Sequence, residues 1–436
     1  MIFTVISISI LLYGLVDFKK GLMLLTIYQI FGYTTRLISV AGLSLNTTIV
    51  VNAGYLVLFL LKRKRYHYRK KFPYKLPFVL AFISYAATCL VAISGIGPEL
   101  SRSIMRILRD YVLAWMLWNV IETKKDFNFL FKGITWTMFI AAIYGITEYF
   151  MKKNPILDYK VVLSDGTIAL YDMSGLRGYR MTSLFEHPLG AGMMFGLFSI
   201  FVLLLWMEKS KLIPNRNLAF LSCLLGLLCV FLTKMRSGIL YTIILATSLL
   251  TLKVVKRKKF YYFVIALVVM LPILYLSMNQ NISIIFNLFA KEKSSSIGGS
   301  SLSMRLQQLD AVRVIMAQSP FAGLGETFRS YISRNSFTDA ALGYESVWFE
   351  QAVMHGMIGV IGTVVLIYYS VIKIPRYYNS RNAAIFALAY WIVYTFSSIP
   401  SYRSVFYYLP MFYFIKTSER YKKEIENKRG LDSMGK

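Results

Sequence analysis

An all-α bundle of about 12–13 transmembrane spans is the fold class this sequence predicts, and three observations predict it. Apolar residues make up 56% of the chain, aromatics 16%, and mean hydropathy is +0.54. Apolar stretches of roughly 17–25 residues, the length needed to cross a hydrocarbon layer of ~30 Å, recur along most of the sequence. Between them lie short basic runs, the pattern of cytoplasmic loops under the positive-inside rule. The net charge of +28 is therefore read as a membrane signature and not as a nucleic-acid surface.

The predicted spans are 1–17, 21–41, 46–61, 76–97, 103–121, 127–150, 187–207, 217–233, 237–252, 260–278, 346–372, 382–399 and 403–417. Residues 1–16 lack a positive n-region and an A-x-A-like site, so a retained helix is expected in place of a cleaved leader. Cys89, Cys223 and Cys229 stand inside apolar segments with no CxxC and no nearby His, which reads as packing and not as disulfide or metal chemistry.

Orientation follows from Lys62–Lys71 (KRKRYHYRKK), where seven of ten residues are Lys or Arg. Setting this run inside also places Lys19-Lys20, Thr123–Asp126, Glu208–Asn217, Lys253–Lys259, Lys373–Arg381 and the tail from Ser418 inside. Two long connections, 151–186 and 279–345, then fall outside. The first has five basic residues against four acidic, the second six against five, a balance unlike the inner loops. Loops of this length usually carry function. In the second loop, KEKSSSIGGSS reads as a flexible strip. Leu302, Leu306, Leu309, Val312 and Met316 then recur at helical spacing, predicting an amphipathic helix over 302–318 that stops before Pro320. Its wheel places Arg305 and Arg313 within the apolar stripe. Gly323 and Gly325 predict a tight turn after it.

Arginine is expensive at membrane depth, so those near the outer side need a reason. They are Arg36, Arg102, Arg106, Arg109, Arg177, Arg180, Arg236, Arg305 and Arg403. Arg102, Arg106 and Arg109 fall at i, i+4, i+7, one face of a regular helix. Guanidinium groups give forked hydrogen bonds to phosphate oxygens, so the set reads as an anion site. The plainer reading is snorkelling, or pairing with acids such as Asp110. Among the acids, Glu345 opens an apolar span at the end of the second loop and Glu350 follows on the same helix. Glu345 is a candidate general base or a dipole-complementing acid. Glu186 and His187, at the mouth of another span, are the competing candidates, although His187 before Pro188 also reads as a simple helix start. His355 reads as a helix contact and His67 as part of the basic run. There is no Walker A sequence, HExxH or His/Cys cluster, and no GxSxG elbow.

Three pieces of the chain resemble the O-antigen ligase/polymerase family (Wzy-like and WaaL-like membrane proteins). RMTSLFEHPLGAGMMFG (Arg180–Gly196) resembles the family's segment of Arg, small residue, aromatic and Pro before a span. LTKMRSGIL (Leu232–Leu240) is similar to its T-x-S-R turn, with Met235 in place of Ser. SMRLQQLDAVRVIMAQSPFAGLGETF followed by YESVWFEQAVMHGMIGVIG resembles its Arg, amphipathic helix, Pro, G-x-G and Gly-rich span. The resemblance covers roughly 177–372. It implies a GT-C-like, all-helical enzyme acting on an undecaprenyl-pyrophosphate-linked oligosaccharide at the outer face of a bacterial cytoplasmic membrane. It also implies a chain-length regulator and a flippase as partners, and no cofactor or metal. Where ligases tend to carry His-Asn, this chain has Glu345-Ser346, which fits the polymerase-like members better. Transposed to these residues, Arg180, Arg236 and Arg305, with Arg177, bind the pyrophosphate; Arg102 and Arg106 form a further phosphate-facing pair; Glu345 is the base and His187 its alternate. A ligase using a terminal acceptor remains open. So does a lipid-linked-oligosaccharide flippase, although arginines gathered at one face argue against a path across the whole bilayer.

Overall fold

The computed structural model describes residues 2–31, 36–40, 43–62, 71–157, 179–185, 187–207, 216–235, 238, 241, 244, 302–328, 346–395 and 405–434. The predicted span 260–278 and all of 237–252 but residues 238, 241 and 244 lie outside these residues, as do Arg177, Glu186, Arg236, Glu345, Arg403 and most of both predicted outer loops.

The architecture is all-α. In chain order the helices are α1 Ile2–Val16, α2 Phe18–Tyr28, α3 Thr47–Leu61, α4 Lys75–Val91, α5 Ile96–Arg106, α6 Leu113–Val120, α7 Lys124–Met151, α8 Pro188–Met207 and α9 Arg216–Leu232. They continue with α10 Leu302–Gln318, α11 Val347–Tyr368, α12 Ile374–Tyr378, α13 Arg381–Thr395, α14 Val405–Lys416 and α15 Glu419–Met434. Among the described residues three helical stretches are long and apolar enough to cross a membrane: Lys124–Met151, Pro188–Met207 and Val347–Tyr378. Shorter apolar helices accompany them at Ile2–Val16, Thr47–Leu61, Lys75–Val91 and Asn217–Leu232. Large apolar side chains stand uncovered on their outer surfaces, with Leu61 77%, Leu90 76% and Ile140 56% exposed. In water such a surface would aggregate; in lipid it is the expected solvent-facing surface.

Local chemistry sets the boundaries. Asp17 caps α2 by accepting from the Lys20 amide at 3.0 Å, and Asn46 caps α3 through the Ile49 amide at 2.9 Å. Thr123 and Asp126 form a reciprocal capping box at the start of α7. The core is aromatic: Trp118 meets Phe412 edge-on at 5.1 Å, and Phe78 meets Tyr111 at 4.9 Å and Tyr408 at 5.3 Å. Lysines gather at one end of the bundle. Lys19 pairs with Asp126 at 2.6 Å, Lys62 donates to the Leu15 carbonyl, and Lys416 donates to the carbonyls of Trp118 and Ile121 that end α6.

Three expectations need correction. The span predicted over 21–41 is a helix only to Tyr28, after which Arg36–Val40 and Leu43–Asn46 pair as antiparallel strands β1 and β2. Eleven helical residues reach ~16 Å, too short for a bilayer, and α2 folds back on α1 so that the Tyr28 hydroxyl bonds the Phe3 carbonyl. Second, the predicted 103–121 span begins at Ile96 and passes through a π-helical stretch at Ile107–Val112. The wider turn breaks the single α-helical face assumed for Arg102, Arg106 and Arg109. Third, α10 forms over the predicted residues, but its protein-facing side chains are Gln308, Val312 and Ile315, while Leu306 is 55% exposed. Arg313 points outward to Asp310 at 3.2 Å, outside the buried stripe. An apolar wheel shows which face shuns water, and at a membrane that face need not be the one that meets protein.

Candidate functional site

Residues 319–328, which follow α10, are threaded into the bundle. Leu324 and Gly325 donate their amides to the carbonyls of Val353 and Met354, while Met357 and Ile358 donate to Pro320 and Phe321. These four bonds replace ones that α11 loses at Gly356, whose φ of 59° breaks the helix. Non-helical backbone is tolerated at this depth only where protein satisfies it, as the threaded loop does. Contact is so close that a Cβ on Gly356 would lie 2.5 Å from Phe321 backbone, and one on Gly323 2.4 Å from Met354 backbone. The glycine turn predicted from the sequence is thus built into a helix break.

Glu326 is fixed at the centre of this loop and is 3% exposed. Arg106 Nε lies 2.6 Å from its Oε2, His355 Nε2 lies 3.6 Å from its Oε1, and Arg102 donates to its main-chain carbonyl at 3.0 Å. Burial opposes the charged carboxylate, but Arg106, then His355 and Arg102, hold Glu326 below the ordinary carboxylate range. Glu99, at the start of α5, accepts from the amides of Glu326 and Thr327 and from the Thr327 hydroxyl. Thr88 joins the other side, donating to the Ala322 carbonyl and lying 3.1 Å from His355 Nδ1.

The arginine trio therefore meets acids and backbone of the protein itself. Arg106 is engaged by Glu326 and Arg109 by Asp110 at 2.8 Å. The plainer sequence reading, pairing with acids, holds for these two, and Arg102 stands beside them on the Glu326 carbonyl. His355 is more than a helix contact, since it links α11 to α4 and to Glu326. Glu350 is buried, at 2%. His187 Nδ1 accepts the Leu189 amide at 3.0 Å. That bond uses the ring as a cap for α8. Arg305 lies on α10 by its backbone, and Arg36 opens β1; their side chains lie outside the described ones.

A second constellation lies where α7 and α9 end. The segment Tyr179–Phe185 is held on α7 by Glu148, which accepts from the Tyr179 hydroxyl, the Thr182 amide and hydroxyl, and the Ser183 amide at 2.6–3.0 Å. Asn154 adds bonds to Thr182 and Ser183. Met181 then donates to the Leu232 carbonyl, and Arg180 Nε donates to the Thr233 carbonyl at 3.1 Å. Arg180, from the first resembling segment, is in this way docked on the turn that begins the second, three residues before Arg236. Sequence reasoning missed Glu99, Glu148, Glu326 and Lys234. The signal was present, because a lone carboxylate amid apolar residues is rare enough to mark a structural or functional node.

A cavity of about 60 Å³ also runs along α11, lined there by Val347, Gln351, His355, Gly359 and Thr363 and opposite by tyrosines including Tyr394 and Tyr407.

Residues 221–364 match the family model described as O-antigen ligase. That stretch, about a third of the chain, is similar to the O-antigen ligase family. The matched stretch holds α9 beyond its first turns, the turn at Thr233–Lys234, α10, the threaded loop and most of α11, so the family resemblance read from the sequence is borne out there. The Arg180–Gly196 segment lies before it. No curated protein matches the chain. Together with the uncovered apolar helices, the match marks an integral membrane enzyme of glycosyltransferase type.

Proposed function

We propose that this O-antigen ligase-like enzyme is a polymerase. It would join undecaprenyl-pyrophosphate-linked oligosaccharide repeats into a surface polysaccharide, with 151–186 and 279–345 outside and Lys62–Lys71 inside. The observation that supports the reading is the bond from Arg180 Nε to the Thr233 carbonyl, which ties the first family-like segment to the chain that leads, three residues on, to Arg236. Arg180, Arg236 and Arg305, with Arg177, would hold the pyrophosphate, and Glu345 would accept the proton of the acceptor hydroxyl. In one displacement the acceptor oxygen bonds the anomeric carbon as the carbon–oxygen bond to phosphate breaks, its electron pair leaving on the pyrophosphate, with inversion. Guanidinium groups supply the positive charge, so the scheme calls for no metal. A chain-length regulator and a flippase would work beside it.

Purified protein given one lipid-linked repeat unit should yield a ladder of product lengths. A single transfer to a distinct acceptor would establish a ligase instead, and movement of the lipid across liposomes with no new glycosidic bond would establish a flippase. Glu345→Gln keeps shape and removes basicity, so turnover should fall by ~10²-fold or more while donor binding changes little. A Gln variant that turns over normally would reduce Glu345 to a helix-start acid. The base would then move to His187 or Glu186.

A further inference from the structure

On α11 the lining of the cavity starts at Val347, two residues after Glu345 in the chain, and the opposite wall is aromatic. There α13 supplies Tyr390, Trp391 and Tyr394, and α14 supplies Tyr407 and Tyr408. These rings brace one another, with Tyr390 centred 4.4 Å from Tyr407 and 5.4 Å from Tyr394, so the wall is set before anything binds. Three side chains of the lining carry polar atoms that make no hydrogen bond: Ser84 Oγ on α4, Trp391 Nε1 and the Tyr407 hydroxyl. Each residue is at most 6% exposed. The Tyr407 hydroxyl lies near enough to Tyr74, Ser370 and Trp391 to interact with each, yet none of these four polar atoms meets another in bonding geometry. Buried polar groups are nearly always paired, so unpaired ones around a cavity mark a place for a partner. Tyr111, which also lines the cavity, stands in the π-helical stretch Ile107–Val112, and such wide turns recur at functional sites.

We propose that this cavity is a subsite for one uncharged sugar ring. The inference rests on the functional reading above and adds to it where a sugar of the substrate is held. Size is the first argument. A buried water takes roughly 10–15 Å³ of such space and about 30 Å³ as liquid, so a cavity of about 60 Å³ takes about four to six waters, the bulk of one hexose ring and not of two. Chemistry is the second. No Lys, Arg, Asp or Glu stands among the described lining residues, so nothing there recognises a phosphate or a charged sugar. A hydrocarbon tail would fill the space but leave Ser84, Trp391 and Tyr407 unpaired. Water would pair them and gain nothing from the aromatic wall. A sugar ring does both: its hydroxyls accept from Trp391 and exchange hydrogen bonds with Ser84 and Tyr407, while its C–H faces pack on the rings. The start of the lining just after Glu345 makes the acceptor, whose hydroxyl that base deprotonates, the expected source of the ring.

The test uses full-length protein in nanodiscs, titrated with methyl β-glucoside, methyl β-galactoside and N-acetylglucosamine, with glucuronate as the charged control. Wild type should show a saturable change in tryptophan fluorescence with at least one neutral sugar and none with glucuronate. Trp391→Phe keeps an aromatic wall but removes the donor and the reporter, so that change should vanish. Ser84→Ala and Tyr407→Phe should each weaken binding about tenfold. Their Tm without sugar should stay at or above the wild-type value, because deleting a buried polar group that has no partner does not destabilise. In the ladder assay their KM for a soluble, diphosphate-free repeat unit should rise with kcat little changed; a rise confined to the lipid-linked donor assigns the ring to the donor. No saturable signal with any of the three sugars, or wild-type affinity in both Ser84→Ala and Tyr407→Phe, would overturn the proposal and leave a cavity that holds water. The polymerase reading would then stand on the ladder alone. Binding of a neutral sugar by protein that forms no ladder would keep the subsite and sink the functional reading.

Discussion

Arg236→Ala and Arg305→Ala should each abolish polymer formation in protein that remains folded and membrane-inserted. Loss of one group that stabilises departing charge in a water-poor site typically costs ~10²–10³-fold, and these arginines are proposed to act on the same phosphates. Lysine retains the charge but loses the planar fork, so Arg236→Lys and Arg305→Lys should retain a reduced rate and not a normal one. The assay is product length on gels from one lipid-linked repeat, with the insertion of each variant checked by its Tm. Normal ladders from both alanine variants would move the pyrophosphate site elsewhere. The face of Arg102, Arg106 and Arg109 is then a poor refuge, because Glu326 and Asp110 already hold two of its members.

How much of this was legible in the sequence differs by scale. Helix positions for α3, α4, α7, α8 and α9 follow from the apolar runs, and among these α7 and α8 have the length a bilayer imposes. The reading failed at 21–41, where apolar residues continue but the helix does not, since hydropathy says nothing about whether a segment spans or turns back. It failed again on α10. Leu306 and Val312 look alike on a wheel, yet one faces outward and the other packs against the threaded loop, with Leu324, Phe328 and Val353. The π-helical stretch at Ile107–Val112 left no sequence mark that was read, and it undid a spacing argument resting on 3.6 residues per turn. In the candidate site the Pro-to-G-x-G pattern announced a turn, but not that this turn would fill a break in the helix that follows it. Pairings such as Glu99 with Thr327 join residues more than two hundred positions apart, and no local pattern encodes them.

The largest stability effect is expected from Glu326→Ala. The carboxylate is buried against Arg106, and removing one member of such a pair strands the other charge, at a cost of about 3–5 kcal/mol. The threaded loop would lose its central tie as well, although the Glu99 bonds to the loop amides remain. A thermal scan with a thiol-reactive dye suits this protein, because Cys89, Cys223 and Cys229 are free and buried and become reactive only on opening. The Tm should fall by roughly 5–10 °C. Replacing both partners, as in Glu326→Gln with Arg106→Gln, should restore part of the loss, since neither charge is then stranded. Acid gives an independent check. Glu326 binds its proton less readily in the folded protein than at its reference pKa of 4.5, so the stability it lends is present above that pH. It is lost as pH falls below it, through the lower folded value. Glu326→Gln should remove that part of the acid dependence. A Glu326→Ala protein with the wild-type Tm and the wild-type acid limb would mean that the loop is held by its backbone bonds to α11 and by Glu99, with the Arg106 pair contributing nothing.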